Sequence, residues 1–146
     1  MLIEARVEND RVRHNATLTT DGVSHRLAIP PRSSGFGSSA NGGELLCLAL
    51  ATCYCNDLHR EAGKMGIEVL RAEVKASAEF GGPGLPATRL SYRAAVAARA
   101  PEARIREFIL HTDRVAEVHN TLRMGIPVHL ESFVATDADL TASGAS

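Results

Sequence analysis

Three cysteines lie close together in one apolar stretch of the sequence, LLCLALATCYCNDLHR, which covers residues 45 to 60. Cys47 lies inside the apolar run, and Cys53 and Cys55 follow near its end. Thiols at such a spacing could bind a metal ion, form disulfides, pack as small apolar side chains or react with a substrate. The helix predicted for this stretch decides between these possibilities.

The spacing disfavours both a metal site and a disulfide. A structural zinc site uses about four sulfur or imidazole ligands in paired motifs, and on a helix Cys53 and Cys55 are about 200° apart around the axis. Cys47 and Cys53 are separated by a rise of about 9 Å, more than the roughly 7 Å that a disulfide tolerates between Cα atoms. We therefore expect no metal, no cofactor and no disulfide within this helix.

Packing is the ordinary role of a free cysteine, because the thiol behaves as a small apolar group. We expect Cys47 and Cys55 to pack in this way. Cys53 differs because it lies where the helix stops being wholly apolar, so its sulfur could meet a substrate. The polar residues around it are Thr52, Tyr54, Asn56, Asp57 and His59.

Strands and helices are indicated by hydrophobic periodicity and by turn residues. In the second strand Val12, His14, Ala16 and Leu18 alternate with polar residues, and Asp21-Gly22 is a hairpin turn before the third strand. The predicted elements are strands at 2–8, 11–20 and 23–30, a helix from Glu44 to about Met65, strands at 67–80 and 88–98, a helix from Pro101 to Gly125 and a last strand at 126–136.

This order, βββ-α-ββ-α-β, predicts an α+β fold in which an antiparallel sheet packs on two main helices. The length of 146 residues favours a single domain over residues 1–146, with about 136–146 as a flexible tail. The first half of the central helix is apolar on every side, so one small sheet cannot cover it alone.

The overall charge and the first residues exclude some partners. A formal net charge of -1 argues against a nucleic-acid surface, which needs a concentrated excess of Lys and Arg. The start, MLIEARVENDR, contains no apolar run long enough for a signal peptide or a membrane span. We therefore expect a cytoplasmic protein with neither nucleic acid nor membrane as a partner.

Three segments of the sequence resemble the OsmC/Ohr family, named after osmotically inducible protein C and the organic hydroperoxide resistance protein. They are GFGSSANGGELLCLALATCYCNDL, the helix end KMGIEV and the later HNTLRMGIPV. The resemblance extends over roughly residues 11–135. It implies a thiol-dependent peroxidase fold built as an intertwined homodimer, with two active sites at the subunit interface. That architecture would supply the cover that the apolar helix requires.

The resemblance also assigns roles to residues. Cys53 follows Asn41 by the twelve residues that separate the family's Asn from its reactive cysteine, and Arg13 precedes Asp21 by the eight residues that separate the family's arginine from its Asp. Strand alternation leaves Arg13 equally suited to a solvated face unless a partner subunit covers it.

The chain departs from the family at several positions. Gly42 and Gly43 replace the family's Pro and Glu, and Ala116 replaces the resolving cysteine. Glu44 comes one place late and is a candidate accessory residue of the pocket. Three residues beyond Ala116, His119 faces the same side of its helix and could line the pocket. Asp57 and His59 are more typical of a solvated helix face.

These features lead to one function and two alternatives. Cys53 would reduce small organic hydroperoxides, with Arg13 as the activating cation and an external thiol as reductant, because no second cysteine is placed to resolve the oxidised sulfur. The first alternative is a non-catalytic protein that binds an apolar small molecule. The second is thiol transfer or redox sensing through the same cysteine.

Overall fold

The first three strands form an antiparallel meander in the computed structural model, which describes residues 1–10 and 13–135. They are β1 (Ile3–Asn9), β2 (His14–Thr20) and β3 (Val23–Leu27), in the order β1-β2-β3. Asp21 and Gly22 have φ values of 46° and 83°, the left-handed values that a tight hairpin turn needs. The predicted turn is confirmed, whereas Val12 lies outside the described residues.

The central helix, α1, runs over Gly42–Met65 and confirms the predicted element. At its start Asn41 and Glu44 form a capping box, in which each side chain accepts a hydrogen bond from the other residue's backbone N–H. At its end Gly66 adopts the left-handed conformation, and its N–H bonds to the carbonyl of Ala62.

Helix α1 is followed by two long antiparallel strands, β4 (Glu68–Phe80) and β5 (Ala87–Arg99). Helices α2 (Glu102–Val115) and α3 (Glu117–Met124) complete the regular structure. Leu58 of α1 and Phe108 of α2 are fully buried in the core between these elements. Burial of such apolar side chains is the main favourable contribution to folding, so the core that positions the site is built by α1, α2 and the β4–β5 pair.

The second predicted helix is two helices, which corrects the expectation of one continuous helix from Pro101 to Gly125. Ala116 is extended, with φ −75° and ψ 106°, and separates α2 from α3. The Asn120 side chain donates a hydrogen bond at 3.0 Å to the carbonyl of Arg114, which the interrupted helix leaves without its usual partner. Periodicity missed the break because residues 116–118 have ordinary helical residue types.

The last predicted strand, 126–136, is also wrong for the residues that the structure describes. Residues 126–135 have no regular secondary structure and no sheet partner there. A strand needs a neighbour for its backbone hydrogen bonds, and neither sheet of the described chain supplies one. Residues 136–146, predicted to be a tail, lie outside the described residues.

The strands form two sheets rather than the single sheet predicted from the sequence. The meander is the first, β4 and β5 are the second, and no ladder of backbone hydrogen bonds joins them in the described chain. Most of the meander is exposed, and Ala16 is its buried apolar residue. Within residues 1–10 and 13–135, no helix combines the length and the apolar character needed to cross a membrane.

Candidate active site around Cys53

Cys53 lies on the face of α1 that turns toward the rest of the molecule. Leu50 and Asp57, three and four residues away, share its side of the helix, and both are buried. The Cys53 thiol is half-buried and donates a hydrogen bond to Oδ2 of Asp57 at a Sγ–Oδ2 distance of 3.4 Å. The sulfur is therefore held in a defined position beside a carboxylate.

The start of α3 lies against the same sulfur. The pKa of the Cys53 thiol is raised, most of all by burial; the backbone N–H of Val118 opposes this shift, and the carboxylate of Glu117 adds to it. Ala116, the residue just before them, is fully buried. The break between α2 and α3 thus directs the N–H of Val118, one of the first N–H groups of a helix that lack intrahelical partners, toward Cys53.

Arg60 connects the carboxylates around the thiol. Its Nη1 lies 2.9 Å from Oδ1 of Asp57 and 2.9 Å from Oε1 of Glu117, and its Nε donates to Glu61 at 2.9 Å. Asp57 is only 3% exposed, so its charge needs this partner. The result is a connected polar cluster of a thiol, carboxylates and a guanidinium.

The electrostatics of this cluster favour a thiol over a thiolate at rest. Burial raises the pKa of Cys53 most, and the charge of Asp57 and its hydrogen bond raise it further. Burial also raises the pKa of Asp57, against the hydrogen bond from Cys53 and the charge of Arg60, which lower it. Asp57 is thus the hydrogen-bond acceptor that the structure places nearest to the Cys53 proton.

The cluster has some features of a cation site, which the sequence did not indicate. One potential ligand atom from each of Cys53, Asp57 and Glu117 lies within 4.8 Å of the others. A structural zinc site needs about four ligands, and both carboxylates are already paired with Arg60. Because Arg60 offsets their charge within the chain, the arrangement fits proton transfer better than metal binding.

The other two cysteines are free, half-buried thiols. Cys47 and Cys55 lie on α1 at positions rotated away from Cys53 by the helix geometry. Of the three thiols, Cys53 is the one that donates a hydrogen bond to Asp57. Among the three sulfurs, Cys53 is the one that the structure brings into the polar cluster.

Arg13 is not brought to the thiol within the chain. Its side chain is exposed and lies 3.3 Å from Oδ2 of Asp10. The polar contacts that shift the pKa of Cys53 come from Asp57, Val118 and Glu117 instead. A role for Arg13 in activating the thiol stays a prediction that depends on a second subunit.

Glu44 is likewise distant from the thiol. It caps α1, with its Oε2 accepting the Asn41 N–H at 2.8 Å, and nine residues of helix place it about 13 Å along the axis from Cys53. A Cβ atom at the preceding Gly43 would lie 3.1 Å from the ring of Phe80. A glutamate at position 43 would therefore require that ring to move.

His119 is buried against two tyrosine rings, at centroid distances of 5.6 Å from Tyr54 and 4.5 Å from Tyr92. Burial lowers its pKa, as does the charge of Arg123. Neither ring nitrogen has a hydrogen-bond partner in the described part of the chain. The structure therefore places His119 near the α1–α3 contact, as an unpaired imidazole.

Several members of the cluster did not follow from the sequence. Asp57 was expected on a solvated face and is buried, while His59 is exposed as expected. Arg60 and Glu117 were not singled out. The spacing of Cys53, Asp57 and Arg60, at four and three residues, could have indicated one helix face, but Glu117 required knowledge of the break before α3.

Comparison with known proteins identifies the family of the chain. The family model described as OsmC-like protein matches residues 35–131. This range includes α1, both strands that follow it, α2 and α3. No curated protein matched the chain.

Solved structures share the fold at low identity. An OsmC-like protein from Mycoplasma pneumoniae is 18% identical, with a TM-score of 0.58, over 84% of this chain and 89% of the other. An OsmC-like hydroperoxide resistance protein from Jannaschia is 12% identical, with a TM-score of 0.54, over 92% of both chains. The organic hydroperoxide resistance protein OhrB of Bacillus subtilis is 16% identical, with a TM-score of 0.52, over 88% and 95%.

Proposed function

This chain belongs to the OsmC-like protein family, and we propose that it is a thiol-dependent peroxidase in which Cys53 reduces an organic hydroperoxide. The observation that carries the proposal is the position of the Cys53 thiol, hydrogen-bonded to Asp57 and adjacent to the start of α3. The fold shared with hydroperoxide resistance proteins supports the choice of substrate class.

The reaction transfers one oxygen atom to sulfur. The sulfur of Cys53 attacks the terminal oxygen of the hydroperoxide, an S–O bond forms, the O–O bond breaks, and the alcohol leaves. The thiol is oxidised to a sulfenic acid while the hydroperoxide is reduced to the alcohol. The terminal oxygen of the hydroperoxide keeps its proton and becomes the OH of the sulfenic acid. The proton that the thiol loses is needed by the leaving alkoxide, which becomes the alcohol.

Asp57 is the group best placed to move that proton. The thiolate is the nucleophile, and the Cys53 proton already points at Oδ2 of Asp57. In our proposal Asp57 accepts this proton as sulfur attacks and then releases it to the alkoxide. Arg60, which is paired with Asp57 at 2.9 Å, keeps the carboxylate ionised until that step.

An external thiol completes the cycle. Two molecules of a small thiol reduce the sulfenic acid, forming a disulfide between themselves and one water and restoring Cys53. Ala116 takes the place of a resolving cysteine in the family pattern, so the proposal needs no second sulfur in the chain. A reducing compartment such as the cytoplasm would supply the thiol.

The direct test is consumption of an organic hydroperoxide in excess dithiothreitol by the protein and by Cys53→Ser. We expect consumption that depends on Cys53, and Cys55→Ser serves as a matched control on the same helix. Equal rates for the protein and Cys53→Ser would exclude the enzymatic function.

We also propose that the protein is a homodimer. Large apolar side chains of residues 126–135 are exposed, among them Val128 at 98%, Phe133 at 80% and Val134 at 93%. Contiguous exposed apolar surface is unusual on a monomer, and an unpaired extended segment can add to a sheet of a second subunit. A partner would also be the source of any cation, such as Arg13, near Cys53.

A second candidate function is non-catalytic binding of an apolar small molecule. It is favoured by the raised pKa of Cys53, since less thiolate is present at neutral pH than the few per cent of an ordinary thiol. The same peroxide assay distinguishes the two functions, because a binding protein would leave the hydroperoxide unchanged.

A further inference from the structure

A cavity of about 430 Å³ lies between α1, β5 and α3. Its apolar wall is formed by Leu50 of α1, Leu90 of β5 and Leu122 of α3. Cys53 is not among the residues that line it, so the cavity is distinct from the thiol cluster. Its volume falls in the range of small-molecule sites, which is roughly 300–1,000 Å³.

One polar side chain in the cavity wall lacks a partner. His119 is 4% exposed, and both of its ring nitrogens are without a hydrogen bond in residues 1–10 and 13–135. A buried polar group that is left unpaired costs free energy. Both nitrogens are enclosed, so a ligand contacts one of them only if the imidazole turns about its Cβ–Cγ bond, a torsion that is broad for histidine.

The charge around the cavity disfavours an anionic ligand. Arg123 lines the cavity, but its Nη2 donates to Oδ1 of Asp113 at 2.6 Å and its Nη1 donates to Oδ1 of Asn120 at 3.0 Å. Asp113 therefore neutralises the guanidinium. Among the described residues that line the cavity, no unpaired charge is therefore available to bind an ionic ligand.

We propose that this cavity binds a small neutral molecule with an apolar body and a hydroxyl group, and that the hydroxyl is hydrogen-bonded to His119. A neutral imidazole has one donor and one acceptor nitrogen. In this proposal the acceptor nitrogen faces the cavity, and the ligand hydroxyl donates to it. Leu50, Leu90 and Leu122 would pack on the apolar body. This binding does not rest on the reactivity of Cys53.

The protein carries its own reporter for this site. The sequence has no tryptophan and two tyrosines, Tyr54 and Tyr92, whose rings both contact His119. Tyr92 also lines the cavity. Intrinsic tyrosine fluorescence should therefore respond to a ligand that contacts the imidazole, with no label needed.

The experiment compares two probes, octanol and methyl octyl ether, which share an alkyl chain but differ in the ability to donate a hydrogen bond. We expect each probe to change the tyrosine emission of the whole chain saturably, with octanol bound about 2- to 10-fold more tightly, as expected for one hydrogen bond. Cys53→Ser should behave like the unmodified protein, which separates this site from the peroxidase proposal.

Three variants make the result specific. His119→Phe keeps a ring but removes the nitrogens, so the two probes should bind equally, while His25→Phe, at an exposed histidine of β3, should keep the preference. Leu122→Phe should fill the cavity and weaken both probes, which tests the site even if His119→Phe does not fold. The proposal is overturned if the preference survives in His119→Phe. It is also overturned if neither probe gives a saturable change. A changed mass of Leu122→Phe in solution would show that a second copy fills the cavity, and this result would overturn the proposal as well.

Discussion

Cys53 and Asp57 lie one turn apart on α1, and the thiol of the first donates a hydrogen bond to the carboxylate of the second at 3.4 Å. This contact stabilises the protonated sulfur and contributes to the raised pKa of the thiol, after burial. Asp57 therefore both suppresses the resting thiolate and provides a place for its proton. The same residue should have opposite effects on two reactions of Cys53.

The first prediction concerns Asp57→Asn. Removing the negative charge lowers the pKa of the thiol, so alkylation of Cys53 by iodoacetamide near neutral pH should become several-fold faster, and its pH profile should move to lower pH. Hydroperoxide turnover should instead fall, because the leaving alkoxide loses its proton donor.

Glu68→Gln removes the same charge on an exposed part of β4 and should change neither rate. Slower alkylation in Asp57→Asn, or an unchanged rate, would contradict the interpretation of this hydrogen bond.

The second prediction introduces a cysteine at position 116. Ala116 is fully buried next to Glu117 and Val118, which both influence the sulfur of Cys53. After one equivalent of peroxide, Ala116→Cys should form a disulfide with Cys53, seen as a loss of two hydrogens by intact mass. The exposed Thr121→Cys on α3 is the control and should form none. A sulfenic acid that persists in Ala116→Cys would mean that position 116 cannot reach the thiol.

The third prediction concerns stability in acid. Glu61 is 3% exposed and accepts hydrogen bonds from Lys64, Arg60 and His111, and these partners lower its pKa to about 2. A carboxyl group with a lowered pKa stabilises the folded state above its unfolded pKa, and that stability is lost as the pH falls through the folded value.

Glu61→Gln should therefore reduce the free energy of unfolding at neutral pH, and its difference from the unmodified protein should shrink between about pH 5 and pH 2. Denaturant titrations at several pH values measure this difference. The exposed Glu102→Gln should show little effect at any pH. A difference for Glu61→Gln that stays constant with pH would refute the assigned role.

The fourth prediction concerns assembly. Light scattering should give a mass of about twice the 15.6 kDa of the chain. Phe133→Asp places a charge on an exposed apolar side chain and should shift the equilibrium toward the monomer, whereas Ser132→Asp, its neighbour, should do so much less. A stable monomer of the unmodified protein at micromolar concentration would contradict the dimer proposal.

The local elements followed from the sequence because their signals are local. Asn41, Glu44 and Gly66 mark both ends of α1, and Asp21-Gly22 marks the hairpin, through side-chain and backbone preferences that act over a few residues. The break at Ala116 and the unpaired segment 126–135 did not follow. The break is stabilised by a side chain from the next helix, and a strand depends on a neighbour that the described chain does not provide.

The candidate site was predictable in part. Cys53 was identified from its spacing to Asn41 and from the polar residues around it, and the structure places it in a polar cluster. The carboxylate of Glu117 and the pairing of Asp57 with Arg60 depend on how α3 packs against α1, which periodicity does not determine. Arg13 and Glu44 were chosen from spacing, and within the chain both have other contacts.

The central claim is that the hydroperoxide oxygen is transferred to Cys53, and the most direct measurement is intact mass with peptide mapping after one equivalent of an organic hydroperoxide, without reductant. We predict that one oxygen is added at Cys53 and that the mass does not fall by the two hydrogens that a disulfide would remove. Dithiothreitol should reverse the change, and excess hydroperoxide should convert the sulfenic acid to sulfinic acid. Cys53→Ser should gain no oxygen at this step. An unmodified Cys53, an oxygen on Cys47 or Cys55 instead, or a disulfide from Cys53 to either of them would contradict this claim.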